Sequence, residues 1–394
     1  HKGLSNLVSW HQRAYQVTAS DRATHLAGLG FDASVWELWP YLTMGASLYL
    51  VPDEQRLAAG SLWAWMAERG ISLSFLPTPL AEAALKTPLP DELALRVLLT
   101  GGDRLHGGLV ERSLPFKLVN HYGPTENTVV ATCTEVDALD ENDPPIGRPI
   151  DNVQTYILDA AMQPVPVGVT GELYIGGRSL ASGYVNQAEL TAGKFVADPF
   201  SREAGTRLYR SGDLVRYRED GQIEFVGRVD HQVKIRGFRI EPGEIESVLK
   251  RQAGVESCVV IAREEESGEN RLVAYLTPGA EQTLQIDDLR NALLDVLPGY
   301  MVPAAFIILE QFPLTPNGKI NRAALPAPEL SRHAEQVAVA PRSELEQQIA
   351  DIWRDILKLE NVGVRDNFFD LGGQSLLLFK THTRLVEDLG LDVT

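Results

Sequence analysis

At 394 residues, with 44% hydrophobic and 23% charged residues, the chain can bury two or three separate cores. A formal net charge of −17 leaves no surplus of Lys and Arg to neutralise phosphates, which argues against nucleic-acid binding. There is no visible signal peptide and no apolar run of membrane-spanning length, and Cys133 and Cys258 stand too far apart for a disulfide framework or a zinc site, so a soluble, reducing, cytoplasmic setting is expected.

The chain begins with His and a helix-like run, and is expected to be a piece of something longer. From residue 3 to about 130, helices and strands alternate: GLSNLVSWHQRAY predicts a helix and HLAGLGF a strand, SVWELWPYL a helix and ASLYLV a strand, LWAWMAER a helix and ISLSFL a strand, with RVLLT and FKLVN as further strands. Near-continuous apolar strands between helices predict a parallel sheet in an α/β core. Ligands bind such sheets beyond the carboxyl ends of the strands. There the chain places Phe31-Asp32, Phe75, Gly101-Gly102-Asp103 and His121-Tyr122-Gly123-Pro124-Thr125-Glu126, parts that suit an adenine, a phosphate and a cation.

From about 135 to 229 the apolar period drops to two, predicting a β-rich subdomain. Asp220-Gly221, between two alternating runs, predicts a hairpin. Past Arg228 the composition turns charged and Gly-punctuated, and Asp230 and Gly237 are candidates to absorb backbone rotation between two bodies. Residues 230–325 read as a small α+β lobe, with GEIESVLKR and DDLRNALLDVLP as helices and VESCVVIAR and LVAYLTP as strands. The Pro-rich segment 326–341 reads as a linker. Ser343 and Glu346 then make a capping box for an amphipathic helix that opens a small helical domain, 342–394, expected to be incomplete.

Three motifs have chemical as well as structural readings. Gly28, Gly30 and Ala33 match G-x-G-x-x-A, with Asp53 ending the next strand, but Phe31 and Asp32 fill the space where backbone would meet a pyrophosphate. In Tyr122–Glu126, YGPTE, a Gly-Pro turn frees backbone N–H groups, a Thr hydroxyl can reach a phosphate oxygen and Glu126 can hold a magnesium ion bridging phosphates, although a plain turn before a strand would look the same. Ser375 follows Gly372-Gly373-Gln374 and opens the apolar run SLLLFK, so it is either an N-cap or a presented nucleophile.

The series FDASVWEL, NHYGPTENT, GELYIGGRSLASGY, YRSGDL, GRVDHQVKIRGFRIEPGEIE, LPGYMVP, NGKINR, LPAP and DNFFDLGGQSL resembles the adenylation domain of a nonribosomal peptide synthetase followed by its peptidyl carrier protein. The resemblance covers nearly the whole chain. It implies an adenylate-forming fold: a doubly wound α/β core lacking its N-terminal part, a β-rich subdomain, a small C-terminal lobe and a helical carrier. It implies an amino-acid ligase that uses ATP and Mg2+ to make an aminoacyl-AMP, then passes the acyl group to 4'-phosphopantetheine on Ser375. Implied partners are the amino acid, a phosphopantetheinyl transferase and neighbouring domains such as condensation or thioesterase.

By the same resemblance Tyr122 stacks on adenine, Thr125 touches the α-phosphate, Glu126 binds the metal, Asp213 holds the ribose hydroxyls, and Gly101, Gly102 and Arg228 border the nucleotide. Lys319, otherwise a solvated turn lysine, becomes the catalytic cation, Asp230 the hinge and the Gly237 loop part of the thioester-forming arrangement. The family's pocket positions fall on Asp32, Ala33, Trp36, Phe75, Leu99, Gly101, His121, Val129, Val130 and Lys319. Asp32 would pair with the substrate ammonium, or cap the helix that follows. The mostly apolar set resembles leucine-activating pockets, with His121 the polar exception. The family's Pro-Lys-Gly phosphate loop does not occur, and Ser211 and Asn321 replace the usual Thr and Asp. As written, the chain alone is expected to be a poor enzyme. Two further readings stay open: a stand-alone acyl-CoA ligase, and a non-catalytic carrier or scaffold.

Overall fold

The computed structural model describes residues 1–394 apart from 53–54, 56–58, 112, 231, 236–237, 265–269, 280–281, 315–319, 328–340, 358, 360, 365–367, 369–370, 372–380, 382–383, 386–387 and 391–394. The chain divides into two compact units, His1–Asp230 with Arg236–Phe238, and His231–Ile235 with Arg239–Thr394.

The first unit opens with α1 (Lys2–Ala14), β1 (Arg22–His25), α2 (Asp32–Leu42), β2 (Ser47–Leu50), α3 (Ala59–Arg69), β3 (Leu73–Pro77), α4 (Thr78–Leu85), β4 (Val97–Gly101), β5 (Lys117–Tyr122), β6 (Thr132–Val136) and β7 (Arg148–Pro149). These strands form one sheet in the order β2-β1-β3-β4-β5-β6-β7. β2 through β5 pair in parallel, while β6 and β7 add antiparallel strands at one edge.

The strand period sorts side chains onto two faces. Phe75, Leu99 and Val119 join α1 and α2 residues such as Leu7, Trp10 and Trp36 in one apolar cluster. Leu76, Leu98 and Leu118 join α3 and α4 residues such as Trp63, Met66 and Ala84 in another. Helices therefore cover both faces, the doubly wound arrangement that the alternating pattern predicts.

The first strand is displaced from its expected position. HLAGLGF does not form it; β1 ends at His25, because the backbone N–H groups of Leu26 and Ala27 donate to the buried carboxylate of Glu37 at 2.7–3.1 Å. Leu29 beyond them is 83% exposed. The β-rich part also starts later than residue 135, since β6 and β7 extend the first sheet.

A second sheet holds β8 (Val153–Leu158), β9 (Gly171–Gly177), β10 (Phe195–Ala197), β11 (Arg207–Tyr217) and β12 (Ile223–Arg228), with α5 (Ala188–Lys194) before β10. β11 and β12 are the hairpin expected at Asp220-Gly221, where Gly221 takes φ +78°.

The short strands β13 (Val233–Ile235) and β14 (Phe238–Ile240), of which Phe238 falls in the first unit and the rest in the second, precede α6 (Pro242–Leu249) of the second unit. β15 (Val255–Glu264) and β16 (Asn270–Pro278) pair antiparallel, and β17 (Ala305–Ile308), after α7 (Ile286–Leu294), pairs parallel to β16. The helix expected over DDLRNALLDVLP ends at Leu294, short of Pro298. α8 (Glu344–Leu357) begins at the expected box: Ser343 Oγ accepts from the Glu346 N–H at 3.2 Å, while the Glu346 carboxylate reaches back to the Arg342 N–H. Its Trp353 meets Phe368 edge to face. No helix among the described residues is long and apolar enough to cross a membrane.

Candidate active site

The site lies beyond the carboxyl ends of β4 and β5. Gly101 closes β4 because a Cβ there would sit 2.5 Å from the His121 carbonyl oxygen, and Gly102 follows at φ +96°. After β5, a Cβ on Gly123 would lie 2.2 Å from the Val129 carbonyl oxygen, so only glycine lets the next loop fold back. That loop is strained: Thr128 and Val129 take φ +53° and +72°, and the Val130 N–H donates to the Thr128 carbonyl at 2.9 Å across a γ-turn centred on Val129. Two consecutive β-branched residues in the left-handed region cost energy that the surroundings must supply, as happens where a loop shapes a site.

On the polar side, β11 leaves its ladder with β9 between Arg210 and Leu214, around Gly212 at φ +78°. The irregularity re-aims Asp213. Its buried carboxylate accepts from the Tyr122 hydroxyl on one oxygen and from Arg228 on the other. Burial, then the neighbouring Asp213 charge, pushes the Tyr122 phenol well above its ordinary pKa, so it stays a donor.

Arg228 also grips Asp230 with two bonds, at 2.7 and 2.9 Å, and donates to the Ser211 carbonyl at 3.0 Å. Asp230, expected as the hinge, is the last residue of the first unit's long segment and lies 3.7 Å from Lys194. A carboxylate has about four lone-pair sites. Tyr122 and Arg228 take one on each Asp213 oxygen, which leaves one on each for a pair of hydroxyl donors.

Glu126 stands in the turn Thr125–Asn127 and accepts from the Tyr184 hydroxyl at 2.6 Å. Burial and this bond raise the Tyr184 pKa. Among the described residues no group of three or more His, Cys, Asp or Glu side chains could hold a metal. Glu126 therefore fits a magnesium ion only as one hard oxygen ligand, the rest coming from phosphates and water. Thr125 donates to Asp32 at 2.6 Å, joining a residue expected to contact the nucleotide phosphate with one expected to contact the amino acid. Asp32 is not the N-cap: that is Phe31, and Asp32 lies in the first turn of α2.

The expected pocket residues converge. Trp36, Phe75, Leu99 and Val130 share one apolar cluster, with Ala33 and Val129 packed on it. The Trp36 ring lies 5.3 Å from Phe75 and 4.8 Å from His121. His121 is neutral, burial bringing its pKa down to about 4.

Around this cluster stand residues that the sequence reading left out: His11 and Tyr15 of the α1 segment, bonded to Trp36 and His121, and Tyr184 behind Glu126. The spacing of WHQRAY marks a helix face and nothing more, and Tyr184 closes the GGRSLASGY motif without a chemical signature. Gly237, Lys319, Ser375 and Asp53 lie outside the described residues.

Three family models match the chain: AMP-binding enzyme over residues 1–185, AMP-binding enzyme C-terminal domain over 244–319 and phosphopantetheine attachment site over 347–394. A linear gramicidin synthase of Brevibacillus parabrevis is 54% identical over 98% of this chain, and surfactin synthase subunit 2 of Bacillus subtilis (strain 168) is 44% identical over 98%. The chain spans 5% and 10% of the lengths of these two relatives.

Among solved structures, holo-PA1221, an NRPS protein containing adenylation and PCP domains, bound to a vinylsulfonamide inhibitor, aligns with TM-score 0.74 at 34% identity over 95% of this chain and 62% of its own. The Vibrio cholerae adenylation domain AlmE, in complex with glycyl-adenosine-5'-phosphate, aligns with TM-score 0.71 at 29% identity over 81% of this chain and 61% of its own. The ordered matches along the chain, the two-faced α/β core and the convergence at the ends of β4 and β5 agree: the chain belongs to the AMP-binding enzymes, as an adenylation domain of the nonribosomal peptide synthetase kind followed by a carrier domain with a phosphopantetheine attachment site.

Proposed function

We propose that this chain forms part of a synthetase module that uses ATP to activate an aliphatic amino acid, leucine or a close neighbour, as the aminoacyl-AMP and then loads it onto its own carrier. The observation that carries the proposal is the clustering of Ala33, Trp36, Phe75, Leu99, Val129 and Val130 with neutral His121, one helical turn from the Asp32 carboxylate. A carboxylate beside an apolar pocket suits an α-ammonium group attached to a hydrocarbon side chain, which a fatty or aryl acid lacks.

In this account Asp213 accepts the ribose hydroxyls through its two remaining sites, Tyr122 stacks on adenine, and Gly101 and Gly102 let backbone approach the nucleotide. Glu126 supplies one oxygen to magnesium, which when bound neutralises phosphate charge. Thr125 turns from Asp32 to a phosphate oxygen. Lys319 supplies a point charge to the reacting carboxylate and phosphate. Asp230 is the hinge and the Gly237 loop serves thioester formation. A phosphopantetheinyl transferase modifies Ser375, and condensation or thioesterase domains receive the acyl group in the cytoplasm.

The test is to load the phosphopantetheinylated protein, extended upstream of His1, with ATP and each common amino acid, and to weigh the carrier intact. Leucine should add its mass, and Ser375→Ala should abolish the adduct. Absence of loading by any amino acid from folded protein would favour the carrier or scaffold reading, and loading by fatty or aryl acids the acyl-CoA ligase reading. Asp230→Pro should impair loading and adenylation unequally; equal loss counts against the hinge.

A further inference from the structure

Two residues of the α1 segment, neither at a pocket position, hold the polar atoms of two residues that are. His11 and Tyr15 stand one helical turn apart, Tyr15 just past the last residue of α1. His11 Nδ1 accepts the Trp36 indole N–H at 2.9 Å, and the Tyr15 hydroxyl lies 2.6 Å from His121 Nε2. The other His121 nitrogen, Nδ1, lies 3.1 Å from the Thr100 carbonyl oxygen, which can only accept. Nδ1 therefore carries the proton, the neutral ring leaves a lone pair on Nε2, and Tyr15 is the donor.

His11 is engaged on one side only: its Nδ1 accepts the indole N–H, its buried Nε2 has no hydrogen-bond partner among the described residues, and the ring packs edge to face against Tyr15 and Tyr41. An indole has one donor and a neutral imidazole one donor and one acceptor. With all of these engaged, Trp36 and His121 offer a bound side chain only carbon.

We propose that Tyr15, aided by His11, is a positioning residue that sets side-chain selectivity: it makes His121 behave as an apolar wall by occupying its one free lone pair. The proposal rests on the assignment of this cluster as the amino-acid pocket. It explains why a pocket containing a histidine can favour an aliphatic substrate.

The test uses the synthetase protein that contains this chain, with Tyr15→Phe, in amino-acid-dependent ATP–pyrophosphate exchange with leucine and with asparagine, its near-isostere. Removing one hydroxyl opens the Nε2 lone pair to an amide N–H. The asparagine-to-leucine ratio of kcat/KM should rise about tenfold, carried by KM. Nitrogen-15 spectra of the imidazoles in the unmodified protein give a readout independent of activity: His121 should be neutral with its proton on Nδ1. An unchanged ratio in a folded variant, or a His121 proton on Nε2, overturns the proposal; if the variant does not fold, the spectrum alone decides. A wild-type preference for a polar or aromatic amino acid overturns the pocket assignment itself, and the proposal with it.

Discussion

The two halves of the candidate site handle buried polar groups in opposite ways. Around Asp213 the groups are acidic and basic, and they are held so that capacity remains: Tyr122 and Arg228 fix the carboxylate yet occupy only one site on each oxygen. At His121 the ring is neutral and fully engaged: Tyr15 and the Thr100 carbonyl take both of its nitrogens. A buried carboxylate held by an arginine can still recognise hydroxyls, whereas a buried histidine with both nitrogens engaged recognises shape alone. Under the proposed function, one side is read by hydrogen bonds and the other by volume.

The largest expected effect comes from breaking the polar half. Asp213→Ala takes a carboxylate acceptor from both the Tyr122 hydroxyl and Arg228, and losing one partner of a buried ion pair costs about 3–5 kcal/mol. Denaturant melts should fall accordingly and ATP-dependent exchange should collapse; a loss below about 1 kcal/mol would mean the node is not a unit.

The neutral half should break with acid. His121 has a folded pKa of about 4 against 6.5 in the unfolded chain, so between those values the unfolded state binds more protons and stability rises with pH. Stability due to this ring is intact above pH 6.5 and lost as pH falls toward 4, by at most about 3 kcal/mol. His11, lowered by burial and then by His121, adds in the same direction. The part due to His121 is the difference in acid midpoint from a His121→Gln variant, which should be flatter.

Smaller still is the effect of Tyr184→Phe. It removes the hydroxyl that orients Glu126 without touching the carboxylate, and the magnesium concentration for half-maximal exchange should rise about tenfold. An unchanged magnesium dependence would leave Tyr184 a packing residue.

Much of this was legible in the sequence, and what was not has a common cause. The α/β alternation, the Asp-Gly hairpin and the capping box are local patterns, readable over a few residues. The displaced first strand came from Glu37, eleven residues beyond Leu26, whose carboxylate replaces a strand partner for two amides. Tyr15 and His121 stand 106 residues apart, and nothing in HQRAY distinguishes a hydroxyl aimed at a distant buried histidine from an ordinary core tyrosine. Glu126 announced itself as a carboxylate after a Gly-Pro turn; Tyr184, which orients it, did not.

The most direct test of an apolar pocket beside a carboxylate is amino-acid-dependent ATP–pyrophosphate exchange across all the common amino acids, on protein extended upstream of His1. Exchange should peak at leucine, with valine, isoleucine and methionine leaking in, since a methylene in an apolar pocket separates neighbours by only about 1–3 kcal/mol. A peak at a polar or aromatic amino acid would contradict the account.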